Sequence, residues 1–288
     1  MTTLISILLT SGLAVLLASA AGGLGAILLG VGRQTLATGG SSITLGGAPL
    51  LRRLPGIGLM VAFTLLLVAL VVRAALIGHA PWSTLHEFSL AFAAALVGTH
   101  LVLGRTHPLD GLAPFTALLG AGLVAFSLGL DDSVDPLVPA LQQPLLLTIH
   151  VGAAVLAYAV SGVAFVAAAA EIGQARSGDR IPLLPSAAAA RAIGHRAVLI
   201  AFPILTIAIA LGSVWANLAW RSYWSNDPKE LAAAATWLVF GAYLHVAGRR
   251  DRWERLAPWL IVLGFAGVLF TYVGAGLFFI GEHSYAAP

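Results

Sequence analysis

Eight stretches of this chain run for about the 20 apolar residues that a helix needs to cross a bilayer. They lie near residues 4–31, 56–77, 85–104, 111–130, 144–172, 196–218, 230–247 and 256–280, and several are long enough to tilt or to protrude. Charge is scarce to match. Only 9% of the 288 residues are Asp, Glu, Lys or Arg, against about a quarter in a globular domain. With 59% hydrophobic residues and a mean hydropathy of +0.95, the chain reads as an all-α integral membrane protein. About eight transmembrane helices are expected, in a single polytopic domain over 1–288 held in the lipid bilayer. The sequence pI near 9.7 implies no nucleic-acid partner, because the basic residues fall between apolar runs, where membrane topology puts them. There is no cysteine, hence no disulfide and no thiolate-bound metal.

The basic residues also orient the chain. Of the 15 Lys and Arg, all but Arg73, Arg221 and Lys229 follow the first, third, fifth and seventh runs; those three share the other side with Asp131, Asp132 and Asp135. By the positive-inside bias, the arginine-rich joins face the cytoplasm, while both termini and the join between runs six and seven lie outside. The chain would then sit in the cytoplasmic membrane. Ala18-Ser19-Ala20 resembles a signal-peptide cleavage box, but no positive residue precedes the apolar run, which continues to Val31. A retained first span is expected there. The joins are short except for 32–55 and 173–195, which are rich in Gly, Pro, Ser and Ala. Ser186–Val198 is expected as a short cytoplasmic helix leading into the sixth run.

Between runs six and seven the sequence reads GSVWANLAWRSYWSNDPKE, residues 212–230. Trp215, Trp220, Tyr223 and Trp224 crowd together there, enough for a flat apolar shelf suited to a large planar ligand; an ordinary interfacial aromatic belt is the alternative. Asp227, Pro228 and Glu230 have the spacing of a helix start with a capping box. His150 opens the fifth run and His283 follows the eighth, both on the same face as this segment. Paired imidazoles are axial ligands of haem iron, and apolar aromatic walls shield the macrocycle. Hydrogen-bonded interfacial side chains are the alternative, and topology alone leaves both open. His245 stands at the inner end of run seven. His100 lies within run three, where an ionisable group is a functional hypothesis by default, but its place near the span end favours a structural role. His107 and His195 are expected as solvated loop residues. Arg73 and Glu87 approach one interface from adjacent helices and are expected to pair and pin them, with His79 and His86 left unassigned.

Several segments occur together in one order. Besides 212–230 they are GHAPWSTLHEFSLAF at 78–92, PLVPALQQPLLLTIHV at 136–151, FPILTIAIALGSVWA at 202–216, TWLVFGAYLH at 236–245 and GEHSY at 281–285. Over about 70–285 the chain thereby resembles the CcsA/ResC family of cytochrome c biogenesis proteins. The resemblance implies a polytopic haem-handling protein that works with a CcsB/ResB-like partner as half of a cytochrome c synthase, or haem lyase. Such a pair brings haem b, held non-covalently, across the membrane and presents it to apocytochrome c. The tryptophan-rich segment is the family's haem-binding signature, which covers Trp215, Trp220, Tyr223, Trp224 and Asp227. His150 and His283 match its two outer axial ligands. His245 matches the ligand of an inner haem site whose opposite ligand comes from the partner. The reacting cysteines would belong to the apocytochrome.

Departures from the family pattern cluster in the signature, which usually runs Trp-Gly-x-x-Trp-x-Trp-Asp-Pro. Here Arg221 replaces the Gly and Asn226 the last Trp, Leu231-Ala232 replace a Thr-Trp, and His86 stands where Tyr is common. Lost aromatic surface at Asn226 and Ala232 is expected to weaken stacking on a porphyrin, with Arg221 expected to compensate by pairing with a haem propionate. A non-catalytic scaffold or regulator of haem supply is the alternative function. A secondary transporter of another substrate is disfavoured, since neither an inverted repeat nor a matching pair of broken spans is present.

Overall fold

The computed structural model describes residues 2–30, 35–38, 41–44, 48–133, 144–249 and 255–283. The chain builds α1 (Thr2–Leu28), β1 (Thr35–Thr38), β2 (Ser41–Thr44), α2 (Ala48–Ile77), α3 (Leu85–Leu103), α4 (Ala113–Leu128), α5 (Pro144–Ser177), α6 (Ala187–Trp220), α7 (Pro228–Val246), α8 (Ala257–Leu269) and α9 (Ala275–Phe278). Among the described residues, seven segments are long and apolar enough to cross a membrane, so the protein is a multi-pass helical membrane protein. The remaining expected span, α7, has the length at 19 residues but not the apolar character. Lys229 and Glu230 near its start and His245 near its end dilute it.

Three details depart from the sequence reading. The join at 32–55 contains an antiparallel two-stranded ribbon, with Thr35 opposite Thr44 and Thr38 opposite Ser41. Its Thr- and Ile-containing segments favour strands and are separated in sequence by Gly39-Gly40, a hairpin dipeptide. Ser186–Val198 is not a separate helix. Ser186 accepts the Ala189 N–H at 3.2 Å as an N-cap, and α6 then runs unbroken to Trp220, so His195 is helical and its Nδ1 lies 3.2 Å from the Tyr243 hydroxyl. The last run is broken by a π-helical turn at Phe270–Gly274 between α8 and α9, a device frequent at functional sites. Arg33, Asp135, Arg250, Arg252 and Tyr285 lie outside the described residues, as do positions 134–143.

The helices pack around α5, which lies antiparallel along α6 and also meets α3 and α8. The α5–α6 seam is made of small residues. A Cβ on Gly194 would meet Ala167 Cβ at 3.6 Å and the Ala164 carbonyl at 3.7 Å, the close backbone approach that small residues permit in membrane bundles. At one end Arg191 donates to Glu171 at 2.7 Å, in the company of Arg105, Arg176, Arg180, Arg196 and Arg249. At the other end the expected Arg73–Glu87 pair is present at 2.9 Å and fully buried. Arg73 also donates to the carbonyls of Asp132 and Ser133 at 2.8 and 3.0 Å, and Ser83 donates to the second Glu87 oxygen from its N–H and hydroxyl at 2.9 and 2.7 Å. A buried ion pair holds only when its remaining hydrogen-bonding sites are filled in this way. His100 and His86 are structural as well, bonded through Nδ1 to Thr116 Oγ1 at 2.8 Å and to the Ser127 carbonyl at 2.9 Å.

Candidate functional site

The bundle end that carries the Arg73–Glu87 pair opens into a cleft of about 190 Å³ between α3, α5, α6, α7 and the π turn. Its floor is aromatic. Phe88 stacks on Tyr272 at 5.3 Å between ring centres and meets Tyr158 edge-on at 6.1 Å. The Tyr272 hydroxyl bonds the Ser89 hydroxyl. The π turn matters here, because it brings Thr271 and Tyr272 into the cleft wall.

His150 and His283 both line this cleft, and each is held by one ring nitrogen. His150 Nδ1 donates to the Ala208 carbonyl on α6 at 2.8 Å. His283 Nδ1 donates to Asp227 Oδ1 at 2.8 Å. A carbonyl can only accept, and Asp227 is ionised. Burial opposes that ionisation, yet the hydrogen bonds from His283 and from the Lys229 N–H hold the carboxyl down at about 2. Both imidazoles are therefore the tautomer that presents Nε2 to a metal, as in the carboxylate–histidine arrangements that orient metal ligands. Trp215, 1% exposed, sits against both rings. His150 stacks on it at 6.1 Å and 11°, and His283 lies 5.8 Å away at 44°. Two glycines make room. A Cβ on residue 212 would come within 2.6 Å of His150 Cε1, and one on residue 281 would overlap Asp227 Oδ2.

The loop from Arg221 to Asp227 borders the cleft through Tyr223 and Trp224. Arg221 ends α6 in the left-handed region at φ 62°, and the chain is then tied by its own polar groups. Ser213 Oγ donates to the Tyr223 carbonyl at 2.8 Å, Ser225 N and Asp227 N donate to Glu230 Oε2 at 2.9 and 3.1 Å, and Lys229 N donates to Asp227 Oδ1 at 2.9 Å. The capping box read from the sequence is present. Asn226 has a job of its own: at φ 59° it occupies backbone that Asn tolerates better than Trp, and its side-chain carbonyl accepts the Trp224 indole N–H at 2.9 Å.

The four signature aromatics do not form one flat shelf. Trp215 and Trp220 meet edge-to-face at 81°, and Trp220 stands edge-on to His283 at 82°, so these two wedge the imidazoles from behind. Tyr223 and Trp224, 61% and 42% exposed, form the outer wall of the cleft. Two layers arise because Trp215 lies inside α6 while Tyr223 and Trp224 lie beyond its end.

The profile of the cytochrome c assembly protein family matches residues 82–283. The chain belongs to this family. The matched segment begins at Trp82 and ends at His283, both of which line the cleft. Among similar curated proteins, each described as a cytochrome c biogenesis protein CcsA, one from Synechococcus sp. (strain CC9902) is 34% identical over 258 residues, covering 78% of this chain and 84% of the relative. One from Chlamydomonas reinhardtii is 37% identical over 248 residues, covering 81% and 68%. A third, from Microcystis aeruginosa, is 31% identical over 291 residues, covering 82% and 88%.

Of the family positions carried over from sequence, His150, His283, Trp215, Trp220, Tyr223, Trp224 and Asp227 all come together at this end of the bundle. His245 does not join them. It is exposed near the far end of α7, two residues beyond the buried Tyr243 and so on roughly the opposite helix face. Sequence reasoning passed over Trp82, Phe88, Tyr158, Tyr272, Gly212 and Lys229. Trp82 and Phe88 stood in a matched segment, and Tyr272 was signalled only by a polar pair, Thr271-Tyr272, inside an otherwise apolar run.

Proposed function

We propose that this protein serves cytochrome c biogenesis by binding haem b non-covalently at the cleft and presenting it to apocytochrome c. It would do so as the CcsA-like half of a synthase formed with a CcsB/ResB-like partner. The observation that carries the reading is the pair His150 and His283, each bonded through Nδ1 and set against Trp215, so that Nε2 is the ring nitrogen that would meet iron. Bis-imidazole ligation fills both axial positions and protects the iron, and the haem and the substrate thiols supply the bond chemistry. The cleft is smaller than the roughly 300–1,000 Å³ of pockets that engulf a drug-sized ligand. It would take part of a macrocycle and leave the rest at the surface, against Tyr223 and Trp224, where an incoming polypeptide can reach it. By the arginine distribution this end faces outside and the cleft opens away from the cytoplasm. The outward-facing His245 on α7 suits an inner site shared with another chain.

Purification of the full chain with its partner, followed by a haem spectrum, tests this. The wild type is expected to carry haem with a bis-imidazole spectrum. His150→Ala and His283→Ala should each lower haem content or shift the spectrum, with partial rescue by added imidazole. Unchanged bis-imidazole spectra in both variants at wild-type abundance would refute the ligand assignment, and a wild type without haem would leave the scaffold reading standing instead.

A further inference from the structure

The cleft has a cationic side chain in its wall that the pair of imidazoles does not account for. Among the described residues that line it, Lys229 carries the positive charge. Its backbone N–H belongs to the α7 cap, while the residue lines the cleft and its side chain runs past α9, where a Cβ on Gly276 would meet Lys229 Cε at 3.9 Å. The neighbouring acids are committed elsewhere. Glu230 accepts from Ser225 and Asp227, and Asp227 accepts from His283 and from the Lys229 backbone. Among the described residues no carboxylate lies within ion-pair distance of the Lys229 ammonium, and Asp227 acts on it only through its field. Arg221, the cation expected from sequence to meet a propionate, is exposed, serves as the C-cap of α6 and is not part of the cleft wall.

We propose that Lys229 is the carboxylate contact of the cleft: the ligand is a planar macrocycle with an acidic edge, and the Lys229 ammonium holds one of its carboxylates while the imidazoles hold its centre. This rests on the haem reading above and adds orientation to it. Two axial nitrogens fix a macrocycle along their axis but leave it able to rotate about that axis. One charge-assisted contact at the rim stops the rotation and decides which edge points out of the cleft. A cation on an apolar wall is suited to this, since an ion pair is stronger in poorly hydrated surroundings than in water.

The test uses the full chain with its partner and compares haem with haem dimethyl ester, which keeps the macrocycle and iron but has no free carboxylate. Wild type is expected to hold haem about 10- to 100-fold more tightly than the diester, as for one hydrogen bond to a charged group. Lys229→Gln should abolish that preference with the bis-imidazole spectrum unchanged, Lys229→Arg should restore most of it, and Arg221→Gln should leave it intact. Retention of the diester by Lys229→Gln serves as the folding control; should that variant lose both ligands, Lys229→Met decides by the same comparison. A preference that survives removal of the Lys229 charge overturns this inference and leaves the haem reading in place. A wild type that binds neither ligand through its histidines overturns both.

Discussion

At the scale of single residues, the site depends as much on what is missing as on what is present. His150 can lie along α6 because position 212 has no side chain. Replacing a helical glycine by alanine adds about 1 kcal/mol of helix propensity, so Gly212→Ala should leave the helix as stable or more so while displacing the imidazole. Overpacking of about 1–3 kcal/mol on the ring predicts haem retention lower by roughly tenfold and a perturbed axial spectrum. Gly241→Ala, whose Cβ would meet Phe202 at an ordinary 3.7 Å, is the control. Equal retention and spectra in the two variants would show that Gly212 does not position His150. This also marks what a sequence reader can see. His150, His283 and the tryptophans announce themselves by chemistry. Gly212 acts through space on a residue 62 positions away and has no signature of its own. Lys229 was legible only as part of a helix cap, because its backbone belongs to the cap and its side chain does not.

At the scale of elements, the loop from Arg221 to Asp227 and the start of α7 behave as one clasp, with Asp227 joining the cap to His283. Its carboxyl is held at about 2 against an ordinary 3.8. The folded value lies below the unfolded one, so the clasp's contribution is complete above about pH 4 and is lost as the pH falls through 2. That shift corresponds to on the order of 2 kcal/mol. Asp227→Asn should therefore lower thermal stability at neutral pH and lose the part of the acid transition below pH 4 that the wild type shows. Melting temperatures for both proteins between pH 2 and pH 7 check this, and identical pH profiles would remove Asp227 from the clasp. The caps of this loop were readable from Asp-Pro-Lys-Glu, since capping is local. The continuity of α6, the ribbon at 35–44 and the π turn were not. Ser186–Val198 carries helix signals whether or not the next helix joins it, and the π turn coincides with contacts of Tyr272 to Phe88 and Phe92 on α3, which lie far away in sequence.

At the scale of the whole molecule, the arginine pattern and the antiparallel bundle agree on which segments share an end. Reporter fusions or introduced-cysteine labelling after residues 108 and 185 should report the cytoplasm, and after 133 and 225 the opposite side; residue 225 on the cytoplasmic side would place the cleft in the wrong compartment for meeting an exported cytochrome. The seam between α5 and α6, where Ala164 and Ala167 meet Gly194 and where Ala159, Ala168, Ala197 and Ala201 are also buried, has an electrical consequence. A membrane that stores energy as a voltage holds each elementary charge at about 2.3 kcal/mol per 100 mV. A water-filled thread through this protein would short that store. Methyl groups and backbone packed this closely leave no room for such a thread along the seam, so the pair works as an insulator. A body as bulky as a macrocycle has no path between these two helices.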